Sequence, residues 1–212
     1  MTTPFLDVLD KPRQEVFTRL KAFAGKTTLG GGTALALQIG HRRSFDFDLF
    51  MPKPISRSLY REVQTVFNEE PKKLIDTGDQ LTIVLTNRVE ITFLYYWHLP
   101  LYPTIATPSV RIFDKHDIAT DKALTIGRRN MWRDYVDFFF LLHDGHLTLE
   151  TIGNDALQRF GNEFSAKLFA EQLAYTKDLA DYSETFLGKR YSVEEITEYL
   201  EKQSVSYINS LL

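Results

Sequence analysis

Cysteine is absent from the 212 residues, which removes disulfides, thiolate zinc sites and cysteine nucleophiles from consideration and fits a reducing compartment. Long apolar runs are missing as well. No stretch approaches the length of a membrane span, and MTTPFLDVLDKPRQEV carries charges where a signal peptide needs an apolar run, so a cytoplasmic protein without membrane attachment is expected. An excess of one charge sign is also lacking: 25 Lys and Arg stand against 28 Asp and Glu, a formal net charge of -3. That balance argues against a surface that clings everywhere to nucleic acid and confines any RNA contact to a local patch. The five histidines, His41, His98, His116, His143 and His146, show no zinc-ligand spacing. What is present is an ordered globular composition, 43% hydrophobic, 13% aromatic and 25% charged, in a chain long enough for one large domain or two small ones packed together.

The pattern along the chain favours two. PRQEVFTRLKAFAG, residues 12 to 25, places Val16, Leu20 and Phe23 at helical spacing and stops at a glycine. TTLGGG reads as a short strand entering a glycine turn, TALALQI as a helix ending at Gly40, and FDFDLF as a strand. SRSLYREVQTVFNEE is a helix with serine at its start, and LTIVLTNRVEITFLYY is a pair of strands turning near Asn87-Arg88. From Asp114 onward helices dominate: 114 to 127, 131 to 143, 148 to 161, 163 to 186 and 192 to 211. The predicted architecture is α+β, with a mixed α/β domain over residues 1–113, an α-helical domain over 114–212, and proline-rich PLYPTIATPSV (100 to 110) as the connection.

One stretch asks for more than packing. In GGGTALALQIGHRRSFDFDLF, residues 30 to 50, strand geometry sends Asp46 and Asp48 to one face and Phe45, Phe47 and Leu49 to the other. Two carboxylates side by side repel unless a cation or shared proton neutralises them, and a divalent metal is the usual solution. Glycines before a helix leave backbone N–H groups open at its positive end, a cradle suited to phosphates; a tight turn in which only glycine fits would use the same residues. Two basic groups, His41-Arg42-Arg43 and Arg128, Arg129 and Arg133, are either solvated surface or phosphate contacts.

The order glycine turn, helix, DxD strand resembles the nucleotidyltransferase superfamily, and GGTALALQIGHRRSFDFDLF is similar more closely to the AbiEii/AbiGii toxin family within it. DIATDKALTIGRRNMWRDYVDFFFLL, residues 117 to 142, resembles that family's later motifs. The resemblance implies Mg2+ held by Asp46 and Asp48, and phosphate-side contacts from Gly31, Gly32, Thr33, Ser44, Arg43 and Arg133. It implies that Lys122 meets the triphosphate of an NTP, with Asp134 and Asp137 on the next helix as further catalytic residues, either of which is an alternative to Glu90 as the acceptor's base. Those two aspartates either reach into a cleft between the domains or close an ion-pair network with Arg133 and the lysine. A third carboxylate, where the fold family uses one, would here be Glu90, which also reads as an exposed hairpin glutamate. The activity implied is transfer of NMP from an NTP to an acceptor, plausibly the tRNA 3′ end, by a toxin with a cognate antitoxin. A protein hydroxyl as acceptor, or a silent nucleotide-, RNA- or partner-binding module of the same fold, are the alternatives.

Overall fold

A computed structural model describes residues 4–129, 131–179 and 181–211. Among them, six strands form one mixed sheet: β1 Thr28–Gly30, β2 Asp46–Met51, β3 Lys72–Asp76, β4 Gln80–Val84, β5 Glu90–Tyr95 and β6 Arg111–Ile112. Their order across the sheet is β3-β4-β5-β2-β1-β6. β2 runs parallel to β5 and β1 parallel to β6, while the other neighbours are antiparallel. The helices are α1 Lys11–Arg19, α2 Gly31–Ile39, α3 Leu59–Phe67, α4 Lys115–Thr125, α5 Trp132–His143, α6 Leu149–Phe160, α7 Ala166–Leu173 and α8 Val193–Ser210. None among the described residues is long and apolar enough to cross a membrane.

The chain divides into two compact units. The first runs to Leu99 and takes in Pro103–Asp114; the second consists of Pro100–Tyr102 and Lys115–Leu212. In the first unit, alternation along β2 buries Phe47, Leu49 and Met51 and leaves Asp46, Asp48 and Phe50 half-buried on the opposite face. β5 repeats the pattern with Ile91 and Phe93 inside. The apolar face is covered by α1 and the helical turn after it: Phe17 stacks on Phe47 at 6.3 Å and Phe23 meets Phe93 edge-on at 5.2 Å. Burying each such ring contributes about 1.5–3 kcal/mol, enough to decide which face of the sheet is core. α1 starts where the Asp10 carboxylate accepts the Arg13 backbone N–H, and α2 ends at Gly40, whose left-handed φ of 67° closes it. The β4–β5 turn falls at the expected place, with Arg88 at φ 65° and Asn87 Oδ1 accepting the Val89 N–H.

Three elements depart from the sequence reading. β3, KKLID, was not anticipated; it is an edge strand, exposed at every position, so its sequence carries no burial alternation. β6 has two residues, paired in parallel with β1 and bridged through Ile112 to Ile105. The helix expected over 163 to 186 stops at Leu173. Beyond it, the chain is tied by Tyr182 donating to the Thr176 carbonyl and by the Asp181 carboxylate accepting the Ser183 N–H. Position 180 of that span lies outside the described residues.

In the second unit α5 is buried nearly all round, as its apolar circumference predicts. α4 packs on α6, and α8 lies against α5, α6 and α7. Buried Asp117 accepts the backbone N–H groups of Leu101 (2.7 Å) and Tyr102 (3.1 Å), which draws Pro100–Tyr102 into this unit. Arg159, also buried, donates to the Asp117 carbonyl and the Thr120 hydroxyl, both at 2.8 Å, and pairs with Asp121 at 3.1 Å. Tyr102 adds a stack on His116 at 4.3 Å and a hydrogen bond to Asp155.

Candidate active site

The first unit gathers a set of polar groups around the junction of β1, α2 and β2. Gly31 opens α2 with φ 63°, a left-handed backbone that costs other residues about 1–2 kcal/mol. A Cβ there would lie 2.4 Å from Asp48 Oδ2, so the carboxylate sits directly against the start of the helix. No side chain caps that start, and no acidic residue lies in its first turn. Gly31→Ala is therefore expected to strain the turn and push the Asp48 carboxylate away. Turnover should fall at least tenfold, checked beside the melting temperature to separate site from fold.

Thr33 and Ser44, both buried, face each other at 2.7 Å, and the Thr33 hydroxyl donates to the Asp46 carbonyl. With its one proton so used, Thr33 accepts from Ser44, and the pair fixes the first residue of the DxD strand to α2. Arg42, 1% exposed, lies beside Gly32, where a Cβ would come within 2.6 Å of Nη2. Its Nη1 donates to the carbonyl of half-buried Arg43 at 2.9 Å. A sequence reading names Arg43 from the basic triplet. The side chain next to the glycine turn is that of Arg42, and only burial distinguishes the two.

The parallel pairing of β2 with β5 brings Glu90 opposite Asp46 and Thr92 opposite Asp48. Residues in register on neighbouring strands share a face, so Asp46, Asp48 and Glu90 lie on the same side of the sheet. Glu90 is half-buried. Thr92 bonds to buried Thr82 on β4 at 3.1 Å, continuing the polar row across the sheet. Among the described residues, no three His, Asp or Glu side chains stand close enough to enclose an ion by themselves. The aspartate pair is an all-oxygen donor set of the kind a hard divalent cation takes.

The second unit holds the remaining residues. Lys122 on α4 lies between two carboxylates of α5, with Nζ 2.5 Å from Asp134 Oδ1 and 2.7 Å from Asp137 Oδ2. All three are sealed off, with side chains 3%, 1% and 0% exposed. Arg129 completes the group from outside, reaching Asp134 through Nε (2.9 Å) and Nη2 (3.2 Å) with its side chain 52% exposed. Lys122 and Arg129 thus both face this pair of carboxylates. Arg129 was not singled out by sequence, where it is one of three arginines in a short run. Arg133, half-buried, places its charge near Asp181 and helps hold that carboxyl below its ordinary value, after the Ser183 hydrogen bonds. Next to Asp134, the buried Tyr135 hydroxyl is pushed up to about 12, by burial first and by the Asp134 charge second, and it donates to the Tyr175 carbonyl at 2.9 Å.

Comparison with known proteins bears on the family and the fold. Residues 16–192 match the family model described as nucleotidyl transferase AbiEii toxin, type IV toxin–antitoxin system. An uncharacterized protein of Aquifex aeolicus (strain VF5) is 28% identical over 192 residues, covering 86% of this chain and 88% of that protein. Among solved structures, the nucleotidyltransferase toxin MenT4 from Mycobacterium tuberculosis H37Rv aligns with a TM-score of 0.61 at 14% identity, over 94% of this chain and 83% of that one. A candidate nucleotidyltransferase from H. pylori aligns with a TM-score of 0.59 at 16% identity, over 94% of both chains. At these identities the two structures speak for the fold alone.

Proposed function

Because the chain belongs to the nucleotidyl transferase AbiEii toxin family, we propose that it transfers a nucleoside monophosphate from an NTP to a terminal hydroxyl of RNA, the tRNA 3′ end, in a reaction that depends on magnesium. The observation that carries this reading is the register Asp46↔Glu90, with Asp48 seated against the opening turn of α2. Asp46 and Asp48 would hold the magnesium ion, which when bound offsets the negative charge of the triphosphate and of the acceptor oxygen. The N-terminus of α2, with Gly31 and Gly32, receives phosphate oxygens on its backbone N–H groups. Thr33 and Ser44 act one step back by fixing the strand. The acceptor oxygen bonds to the α-phosphorus as the bond to the β-phosphate bridging oxygen breaks and pyrophosphate leaves. Glu90, beside Asp46, takes the proton of the acceptor hydroxyl on its carboxylate.

Lys122 takes up an anion only by exchanging an aspartate oxygen for one of the anion's own. Both are anionic, so the exchange keeps a buried ammonium compensated. Arg129, already half exposed, can meet the same anion without leaving Asp134. The type IV family description also implies an antitoxin that opposes the activity in the cell.

The direct test incubates the purified protein with each α-labelled NTP, Mg2+ and total tRNA, and resolves the products on a denaturing gel. Label on RNA is the expected result, and it names the nucleotide. Label on polypeptide would replace the RNA acceptor with a protein hydroxyl, and binding of NTP without transfer to any acceptor would overturn the enzymatic reading.

A further inference from the structure

Phe50 follows Asp48 by two residues on β2, so its ring lies on the carboxylate face about 7 Å farther along the strand. It is seated on Gly30, where a Cβ would meet the ring at 2.4 Å, and so abuts the glycine turn itself. From there aromatic rings continue outward. Phe50 meets Phe113 edge-on at 5.4 Å and Tyr96 edge-on at 5.1 Å. Tyr96 meets Trp97 at 6.3 Å and His98 at 5.4 Å, and Trp97 meets Tyr95 at 6.1 Å and His98 at 5.3 Å. The row begins in buried Phe113 and ends in Trp97, 64% exposed. The Tyr96 N–H bonds to the Met51 carbonyl, which places the exposed Lys53 just beyond this end of β2.

The proposed transferase site does not use these rings. Phe113 and Phe50 are packed, whereas Trp97 and Leu99 leave an exposed apolar patch at the end of the row. Rings that carry polar edges, set side by side next to a phosphate cradle and a cation, are what unpaired bases of a nucleic-acid strand take up, each base stacking on a ring with little regard to sequence.

We propose that Tyr96, Trp97 and His98, backed by Phe50, form a stacking platform for the last unpaired bases of a single-stranded nucleic-acid acceptor. It rests on the transferase reading, because the platform is useful only if the strand's end reaches Asp46 and Asp48. Lys53 meets the phosphate backbone of that strand, and the platform holds the end in place while its terminal hydroxyl is modified.

The test measures two affinities in the full chain, that of a fluorescein-labelled single-stranded RNA hexamer by anisotropy and that of a fluorescent ATP analogue. Trp97 is exposed, so Trp97→Ala leaves the core intact. The expected result is a roughly tenfold to hundredfold loss of hexamer affinity in Trp97→Ala, most of it restored in Trp97→Phe, which keeps a ring, with ATP-analogue affinity unchanged. Wild-type hexamer affinity in Trp97→Ala would overturn the proposal. So would a loss confined to the ATP analogue, which would assign the rings to the base of the NTP. A Trp97-dependent hexamer complex in a protein that transfers no nucleotide would keep the platform and remove the transferase reading, so the two fail separately.

Discussion

Protein carrying Asp46→Asn and Asp48→Asn is expected to lose about a thousandfold or more of its NTP turnover while melting no lower than the wild type. Asparagine keeps the shape and the carbonyl oxygen of aspartate but removes the charge that a divalent cation requires. Both side chains are half-buried on the open face of β2, and neither belongs to the core. Substitution therefore leaves the packed face of the strand unchanged, and stability should hold. The contact of residue 48 with Gly31 survives, which keeps the turn in place. Turnover and melting temperature measured on the same preparation separate the cases. Retained turnover would show that the carboxylate charges are not needed, and a lowered melting temperature would assign the pair a structural role instead.

The second large effect lies in the helical unit. Lys122→Met is expected to lower the melting temperature by on the order of 10 °C, because breaking a buried pair by removing one partner costs about 3–5 kcal/mol, and each kcal/mol moves the midpoint of a chain this size by about 2–4 °C. Removing the charge of either aspartate in the same chain, Asp134→Asn or Asp137→Asn, reduces the imbalance left by the lost ammonium and should recover part of the stability. Thermal melts of the single and double variants give the comparison directly. No recovery in either double variant would mean that charge balance around Lys122 does not set the stability.

The sequence made the carboxylate strand and its glycine turn legible because both rest on local rules. Period-two alternation fixes the faces of FDFDLF, and a glycine run before an apolar helix marks a turn that other residues strain. The buried helix α5 was legible for the same reason, through its apolar circumference. Longer-range facts were not. Glu90 joins the face of Asp46 only because β5 lies next to β2 in parallel, a pairing that no local pattern specifies. Arg42 and Arg129 each stand in a run of basic residues, where sequence gives no means of telling the buried or bridging arginine from its neighbours. β3 carries no signal in the sequence because an edge strand with five exposed residues has no inward side to announce it. Residues 163 to 186 read as one helix because helix-compatible residues continue past Leu173, whereas hydrogen bonds in the following segment run to local side chains and carbonyls.

The passage of the chain through its two units also bears on how the molecule can be made and cut. Polypeptide leaves the first unit at Leu99, contributes Pro100–Tyr102 to the second, and returns for Pro103–Asp114 before leaving for good. During synthesis the sheet stays incomplete until β6 has emerged to pair with β1, and the three residues already committed to the helical unit must wait for Asp117 to appear behind them. No single cleavage point separates the units cleanly. A fragment beginning at Lys115 would bury the Asp117 carboxylate without the two N–H groups of Leu101 and Tyr102, so such a fragment should express poorly alone and recover when residues 100 to 114 are restored.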